Sequence, residues 1–151
     1  MTFDPVRDVE EFHKKFGLEY VGPPRAIPDD LQRFRTRFLT EELDEYKSAT
    51  LDVYWELGLK TLNQAAIAGG LEDALDALVD LVYVALGTAH LHGFDFREAW
   101  RRVHEANMAK VRADSPEASK RGSAFDVVKP VGWQPPSHVD LVKNNLHAGQ
   151  K

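Results

Sequence analysis

Four acids fall within seven residues in the stretch TEELDEY at positions 40–46. They are Glu41, Glu42, Asp44 and Glu45. In a helix, some of these side chains stand three or four positions apart, where like charges repel each other. Either water or a bound cation must offset that repulsion. The direction in which the acids point distinguishes the two.

A helix running through this stretch would carry one broad apolar face at about 100° per residue. Glu42 falls near the middle of that face, Glu45 lies within it and Glu41 lies at its edge, whereas Asp44 points away. A buried carboxylate without a partner is costly or becomes protonated. An ordinary solvated acidic patch is the alternative, and it suits Asp44 but not Glu42. The apolar face consists of Leu31, Phe34, Phe38, Leu39, Leu43, Tyr46 and Ala49.

The segment EDALDALVDLVYVALG repeats this pattern further along the chain. Asp73, Asp76 and Asp80 share one stripe, and Asp80 is surrounded by apolar residues, so we expect it to be buried. A buried Asp that is satisfied by an Arg or a hydroxyl is the alternative. Two inward acidic clusters on successive helices favour a divalent cation instead. With no Cys and no HExxH motif, the oxygen ligands indicate Mg²⁺ or Mn²⁺ rather than zinc.

A later helix adds the opposite charge. Asn107 and Lys110 lie on the same face as Trp100 and Val103 in FREAWRRVHEANMAKV. Lys110 could instead pair with a carboxylate, and Asn107 could cap a turn. Together with the acids, these two side chains indicate a site for a phosphorylated ligand.

The elements that must position these residues are predicted to be helices. The first helix is defined by its end signals: Asp4 as N-cap, Pro5 as the first helical residue and Gly17 as the terminator. The loop GPPRAIP at 22–28 follows, and a second helix begins near Asp29 or Asp30 and runs past Tyr46. Residues 50–70 could extend that helix, form a short separate one, or do both, ending at Gly69-Gly70.

A third helix is predicted from Leu71 to His92, apolar on nearly every side and closed by Gly93. Asp95 and Glu98 form a D-x-x-E capping box that opens the fourth helix. After Val111 the chain becomes polar and loop-like, with a short helix predicted over 138–146. No β-alternation of useful length and no internal repeat is present, so the predicted fold class is all-α.

The chain has 151 residues, of which 43% are hydrophobic, and these values predict one domain over 1–151 with a loop-rich C-terminal extension at 113–151. The absence of Cys excludes disulfides, thiolate metal sites and a cysteine nucleophile. We expect a soluble cytoplasmic protein that does not bind membranes, because no apolar run approaches about 20 residues and the N-terminus is acidic. A net charge of −5 argues against nucleic acid as a partner.

The order and spacing of these motifs resemble the MazG-like all-α nucleotide pyrophosphohydrolases, a group that includes dimeric dUTPases and phosphoribosyl-ATP pyrophosphohydrolase. The resemblance runs from about Phe34 to Trp133. The resemblance is carried by five stretches of the sequence: FLTEELDE, DALVDLVYVALG, HGFD, VHEANMAKV and KPVGW. The chain departs from the family at its second acidic motif, usually E-x-x-D, because Ala77 stands where Glu would. Asp76 could supply the missing oxygen.

This resemblance implies a four-helix bundle, assembled as a homodimer or homotetramer, that hydrolyses a nucleoside triphosphate to the monophosphate and pyrophosphate with Mg²⁺, or Mn²⁺ as a substitute. Glu41 would orient or deprotonate the attacking water. The other candidates divide by role: the metal ligands would be Glu42, Glu45, Asp76 and Asp80, and the substrate contacts would be Asn107, Lys110, Lys129, Arg33, Arg35, His13 and Trp133. Structural ion pairs are the alternative for both arginines, as core packing is for His13 and Trp133.

Base preference cannot be read from the sequence. Enzymes with this resemblance include house-cleaning hydrolases, enzymes that prefer dUTP or dCTP, and phage enzymes that remove dGTP. Two other functions stay open: a catalytically weakened helical regulatory or interaction module, which the Ala77 departure would permit, and a phosphoribosyl-ATP pyrophosphohydrolase.

Overall fold

The computed structural model of the chain describes residues 3–59 and 63–143, and its regular structure there is almost entirely helical. The all-α prediction is therefore confirmed. Five helices, a 3₁₀ turn and one two-residue antiparallel ladder follow in the order α1 (Pro5–Lys15), α2 (Asp29–Gly58), α3 (Gln64–His92), α4 (Phe96–Met108), β1 (Val111–Arg112), the 3₁₀ turn (Pro116–Ala118), β2 (Val127–Val128) and α5 (Val139–Lys143).

The chain forms two compact units, Met1–Phe94 and Asp95–Lys151. The first unit holds α1, α2 and α3, and the second holds the rest. The assignment of 1–151 to a single domain with an extension from 113 stays a prediction.

In the first unit, α1 begins and ends where its capping residues predict. The Asp4 carboxylate accepts a hydrogen bond from the N–H of Arg7 at 3.1 Å, and Pro5 occupies the first turn. Gly17, just past the end of α1, has φ +69°, a left-handed conformation that favours glycine. Val9 and His13 are buried on the inner face of α1.

The core of this unit lies where α2 packs against α3. The sequence-based end of a helix at Gly69-Gly70 is wrong, because Asn63 caps α3 through the N–H of Ala66 and the helix continues through both glycines. Gly70 is buried at the α2 contact, where a Cβ atom would lie 2.6 Å from Cγ2 of Val53. The close packing of the two helices therefore depends on a hydrogen atom at position 70.

Gly70→Ala should lower the melting temperature, because the added methyl group must displace the short, branched Val53 side chain. Gly69→Ala is the matched control, since a Cβ there meets no atom within 4 Å and alanine is favoured over glycine in helices by about 1 kcal/mol. Thermal unfolding by circular dichroism would measure both. A Gly70→Ala melting temperature equal to that of Gly69→Ala would contradict the close contact.

The outer face of α3 is open in the single chain. The expectation that α3 is buried on nearly every side is wrong, since five apolar residues on it are exposed: Leu71, Leu75, Leu78, Val79 and Val82. By length and composition, α3 is also long and apolar enough to cross a membrane, a property that core helices of soluble proteins share. The expectation that membranes are not a partner stays a prediction.

The loop between α1 and α2 is bound to the C-terminal end of α3. The N–H of Tyr20 donates to Nε2 of His90 at 3.1 Å, and the N–H of Arg25 donates to the carbonyl of His92 at 2.9 Å. Nε of Arg25 donates to the carbonyl of Leu91 at 3.1 Å. The two Arg25 bonds satisfy carbonyl groups that the end of a helix would leave unpaired.

In the second unit, Asp95 caps α4 as predicted by accepting from the N–H of Glu98 at 3.0 Å. The Glu98 carboxylate binds Arg101 and Arg102, and Arg102 also pairs with Asp140 at 2.6 Å. This pairing links α4 to α5, and Arg102 holds the pKa of Asp140 down to about 2. Of the short helix predicted over 138–146, residues 139–143 are helical and the last three lie outside the described residues.

Candidate active site

The acidic residues of α2 and α3 surround one buried carboxylate. Glu42 is 7% exposed, as its place on the apolar face of α2 predicts. Its Oε2 atom is buried and has no hydrogen-bond partner among the described residues. A buried charged oxygen without a partner destabilises a fold, so this atom would be stabilised by a proton or by a bound cation.

Four other predicted acids act on Glu42. Burial raises the pKa of Glu42, and the negative charges of Glu45, Asp80, Glu41 and Asp76 raise it further, in that order. The fold therefore brings the five predicted acids from two helices into one negative region. A cation in this region would reduce the repulsion among the acids and would give the unpaired Oε2 of Glu42 a partner.

The side chains around Glu42 differ from the prediction in their exposure. Asp80 is exposed, so the expectation that it has no access to water is wrong. Its neighbours Val79 and Val82 are each 55% exposed, so this side of α3 is open to solvent in the described part of the first unit. Glu45, expected within the apolar face, is exposed as well. The exposed acids therefore surround the buried Glu42 at the open edge of a cleft.

The donor set fits a hard divalent cation by chemistry. All five acids offer carboxylate oxygens, which Mg²⁺ and Mn²⁺ prefer, and Glu42 has a buried oxygen in need of a positive partner. Across residues 3–59 and 63–143, no three acidic or histidine side chains converge as a preformed metal site. Mg²⁺ usually retains several water ligands, so exposed acids that rotate toward the ion suffice.

A pocket of about 270 Å³ adjoins the acids in the first unit. Glu42 and Asp80 line part of it, and Arg35 and His13 line another part. Arg35 is buried, and its Nη2 donates to the carbonyl of Val84 at 2.7 Å while its Nε donates to Oγ1 of Thr88 at 3.0 Å. Arg35 thus binds α3 through a carbonyl and a hydroxyl group. The structural alternative expected from the sequence, an ion pair with an acid, is not what holds it on α3.

His13 is both a core residue and part of the pocket wall. It is 3% exposed, and its Nδ1 donates to the carbonyl of Leu18 at 3.3 Å. Burial lowers the pKa of His13, with a smaller contribution from the charges of His90 and Arg35. Arg33, by contrast, is exposed and pairs with Asp29 on the surface of α2, as its structural alternative expects.

The remaining substrate candidates form a second cluster, in the second unit. Nε1 of Trp133 donates to the carbonyl of Ala106 at 2.7 Å, which places the indole beside the end of α4. Nζ of Lys129 lies 4.5 Å and Nζ of Lys110 lies 5.7 Å from the centre of a Trp133 ring. Lys110 also donates to the Asn107 side chain at 2.7 Å. The motifs NMAK and KPVGW therefore meet at one indole.

Two features of the pocket were not predictable from the sequence. Phe12, Phe38 and Tyr83 line its walls, but aromatic residues at helical spacing are typical of any core. The second feature is Gly87, where a Cβ would lie 2.8 Å from Nε2 of His13 and 3.0 Å from Nη2 of Arg35. A lone glycine between larger residues in a helix was the available signal.

A comparison with protein-family models matches residues 9–107 to the model described as phosphoribosyl-ATP pyrophosphohydrolase. The matched range contains most of α1, all of α2 and α3, and most of α4, and therefore all five acids. Lys110, Lys129 and Trp133 lie beyond its end. A search of curated proteins gives no match.

Proposed function

The chain belongs to the phosphoribosyl-ATP pyrophosphohydrolase family, within the MazG-like nucleotide pyrophosphohydrolases, and we propose that it is a Mg²⁺-dependent nucleoside triphosphate pyrophosphohydrolase. It would cleave between the α and β phosphoryl groups and release a nucleoside monophosphate and pyrophosphate. The observation that carries this proposal is the buried, unpaired Oε2 of Glu42 among four further acids.

Glu42, Glu45 and Asp80 would hold the ion, with Asp76 as a further ligand. Bound there, Mg²⁺ would polarise phosphoryl oxygens and lower the pKa of the attacking water. Glu41 is exposed at the edge of this group and would orient the water or accept its proton. Lys110 and Lys129 stay proposed phosphate contacts, because ammonium groups stabilise charge on a leaving pyrophosphate.

The proposal includes assembly as a homodimer or homotetramer in the cytoplasm, without nucleic acid or membrane partners. The exposed stripe from Leu71 to Val82 on α3 supports self-association, since soluble proteins rarely leave a continuous apolar stripe uncovered. The tip of α2 exposes Leu51, Tyr54 and Trp55 as well.

Phosphoribosyl-ATP is a second candidate substrate, favoured by the description of the matched family. It contains the same triphosphate, so the acids would act in the same way. A catalytically weakened module is the third candidate and would rest on Ala77, which stands in place of the usual Glu.

The test is a screen for pyrophosphate release from canonical and deaminated nucleoside triphosphates, in ribo and deoxy forms, and from phosphoribosyl-ATP. Each would be assayed with Mg²⁺, with Mn²⁺ and with a chelator. We expect turnover of nucleoside triphosphates that the chelator abolishes. Turnover of phosphoribosyl-ATP alone would favour the second candidate, and binding without turnover would favour the third.

Asp76→Ala should reduce turnover and Mg²⁺ affinity by about tenfold or more, or ~1.4 kcal/mol. Asp76 acts on Glu42 through its charge and would replace the carboxylate that Ala77 lacks. Asp73→Ala removes an exposed acid one turn earlier on α3 and is the matched control. Steady-state kinetics over a Mg²⁺ titration would measure both variants, and full activity in Asp76→Ala would remove Asp76 from the site.

A further inference from the structure

The pocket beside the acids has the walls of a site for a flat heterocycle. Phe12, Phe38 and Tyr83 contribute aromatic rings, and the rings of Phe12 and Tyr83 are perpendicular with centres 5.5 Å apart. Its volume of about 270 Å³ is just below the roughly 300–1,000 Å³ that is usual for pockets that bind drug-sized ligands. One aromatic base fits this space, and an extended ligand would reach from it to Glu42 and Asp80.

Arg35 gives this pocket a fixed set of hydrogen-bond donors. Its bonds to Thr88 and Val84 occupy Nε and one Nη2 proton, and they set the plane of the guanidinium. In the described part of the chain, no atom accepts from Nη1. A guanidinium has five N–H donors and no acceptor, so the remaining protons of Arg35, at the wall of the pocket, are available to an acceptor on a ligand.

The region around Arg35 is arranged to keep it at the pocket. Gly87 lets Nη2 of Arg35 and Nε2 of His13 approach the backbone of α3 more closely than any side chain at position 87 would allow. The centre of the Phe38 ring lies 5.4 Å from Cζ of Arg35. Since Nδ1 of His13 donates to the Leu18 carbonyl, neutral His13 carries its lone pair on Nε2. The wall therefore combines a fixed cation with a neutral ring.

We propose that this pocket binds the nucleobase of the substrate, and that Arg35 selects bases that carry an exocyclic oxygen over bases that carry an amino group at the same position. This inference rests on the proposed function and adds the class of base to it. A carbonyl oxygen accepts from Arg35, whereas an amino group brings donor against donor and leaves the guanidinium without an acceptor. The preferred substrates are nucleotides of 6-oxopurines and 4-oxopyrimidines.

Two substrate pairs isolate this difference. dITP and dATP differ at position 6 of the purine, and dUTP and dCTP differ at position 4 of the pyrimidine. We expect kcat/KM to favour the oxo member of at least one pair by about tenfold or more, within the range produced by an unsatisfied buried donor. Equal or inverted values in both pairs would overturn the inference while leaving the proposed function intact.

Binding of inosine and adenosine without metal separates the two proposals, because neither nucleoside has a phosphate to cleave. Preferential binding of inosine in calorimetry would support the pocket even if no triphosphate were hydrolysed. Equal binding of inosine and adenosine would overturn the inference. So would the absence of binding by either nucleoside if the kcat/KM values were also equal within both substrate pairs.

Arg35→Met removes the donors and keeps the length of the side chain. We expect the oxo-to-amino ratio of kcat/KM to fall close to one in this variant. Arg37→Met, at an exposed position two residues along α2, is the control and should keep the wild-type ratio. If Arg35→Met does not fold, Thr88→Ala is the second variant, because it frees Nε of Arg35 and should lower the oxo-to-amino ratio of kcat/KM. An unchanged ratio in either folded variant would contradict the role of Arg35.

Discussion

Glu42→Gln should reduce pyrophosphate release by about a thousandfold or more, equivalent to ~4 kcal/mol of transition-state stabilisation. The substitution preserves the shape of the side chain and removes the charge on the one buried carboxylate of the acidic cluster. Asp44→Asn is the matched control, because it makes the same acid-to-amide change on α2 at an exposed residue paired with Lys47. Activity near that of the wild type in Glu42→Gln would place the metal elsewhere.

Stability should move in the opposite direction in the same variant. Because the pKa of Glu42 is raised in the folded chain, folding favours its protonated form. The contribution of Glu42 is thus most favourable below its ordinary pKa of 4.5 and is lost as the pH rises through the raised folded value. In a chelator at pH 8, Glu42→Gln should melt at or above the wild-type temperature, with less difference at pH 4. A clearly lower melting temperature at pH 8 would mean that the carboxylate makes a stabilising contact.

Ala77→Glu should destabilise the metal-free fold by about 3 kcal/mol or more, because it adds volume and a charge at a buried position. Ala77 is 3% exposed on α3, so the acid usual in related proteins cannot be added here without repacking. The sequence indicates Asp76 as the source of the oxygen that Ala77 lacks, and the fold exposes Asp76 and buries Ala77.

Ala68→Glu is the control for this prediction, since it makes the same change at an exposed position of α3. Urea unfolding of both variants would give the difference in the free energy of unfolding. If Ala77→Glu keeps wild-type stability and binds Mg²⁺ more tightly, then position 77 opens toward the acids, and the ligand arrangement of the family applies to this chain.

Local chemistry made part of this fold predictable. Asp4, Gly17, Asp95 and Gly93 mark helix ends by capping, which depends only on nearby residues. The inward direction of Glu42 followed from helical periodicity in the same way. Other features depend on distant contacts: Gly70 stays inside α3 because it packs against Val53.

The exposure of Asp80 was not predictable for a related reason. Periodicity shows that α3 is apolar on most sides, but it does not show which side another element covers. The anchoring of Arg35 by Thr88 joins residues 53 positions apart, and no local pattern carries that information. The predictable part of the site is thus the acids, and the unpredictable part is the pocket beside them.

The attachment of the α1–α2 loop to α3 has a consequence for hydrogen exchange. Backbone amides in a surface loop usually exchange with solvent through small local openings. The amides of Tyr20 and Arg25 are instead held by His90 and by the His92 carbonyl, so they can exchange only when the contact between the loop and the end of α3 opens. Their protection factors should therefore match those of the last turn of α3, which would make the loop part of the same cooperative unit and not a lid that opens independently.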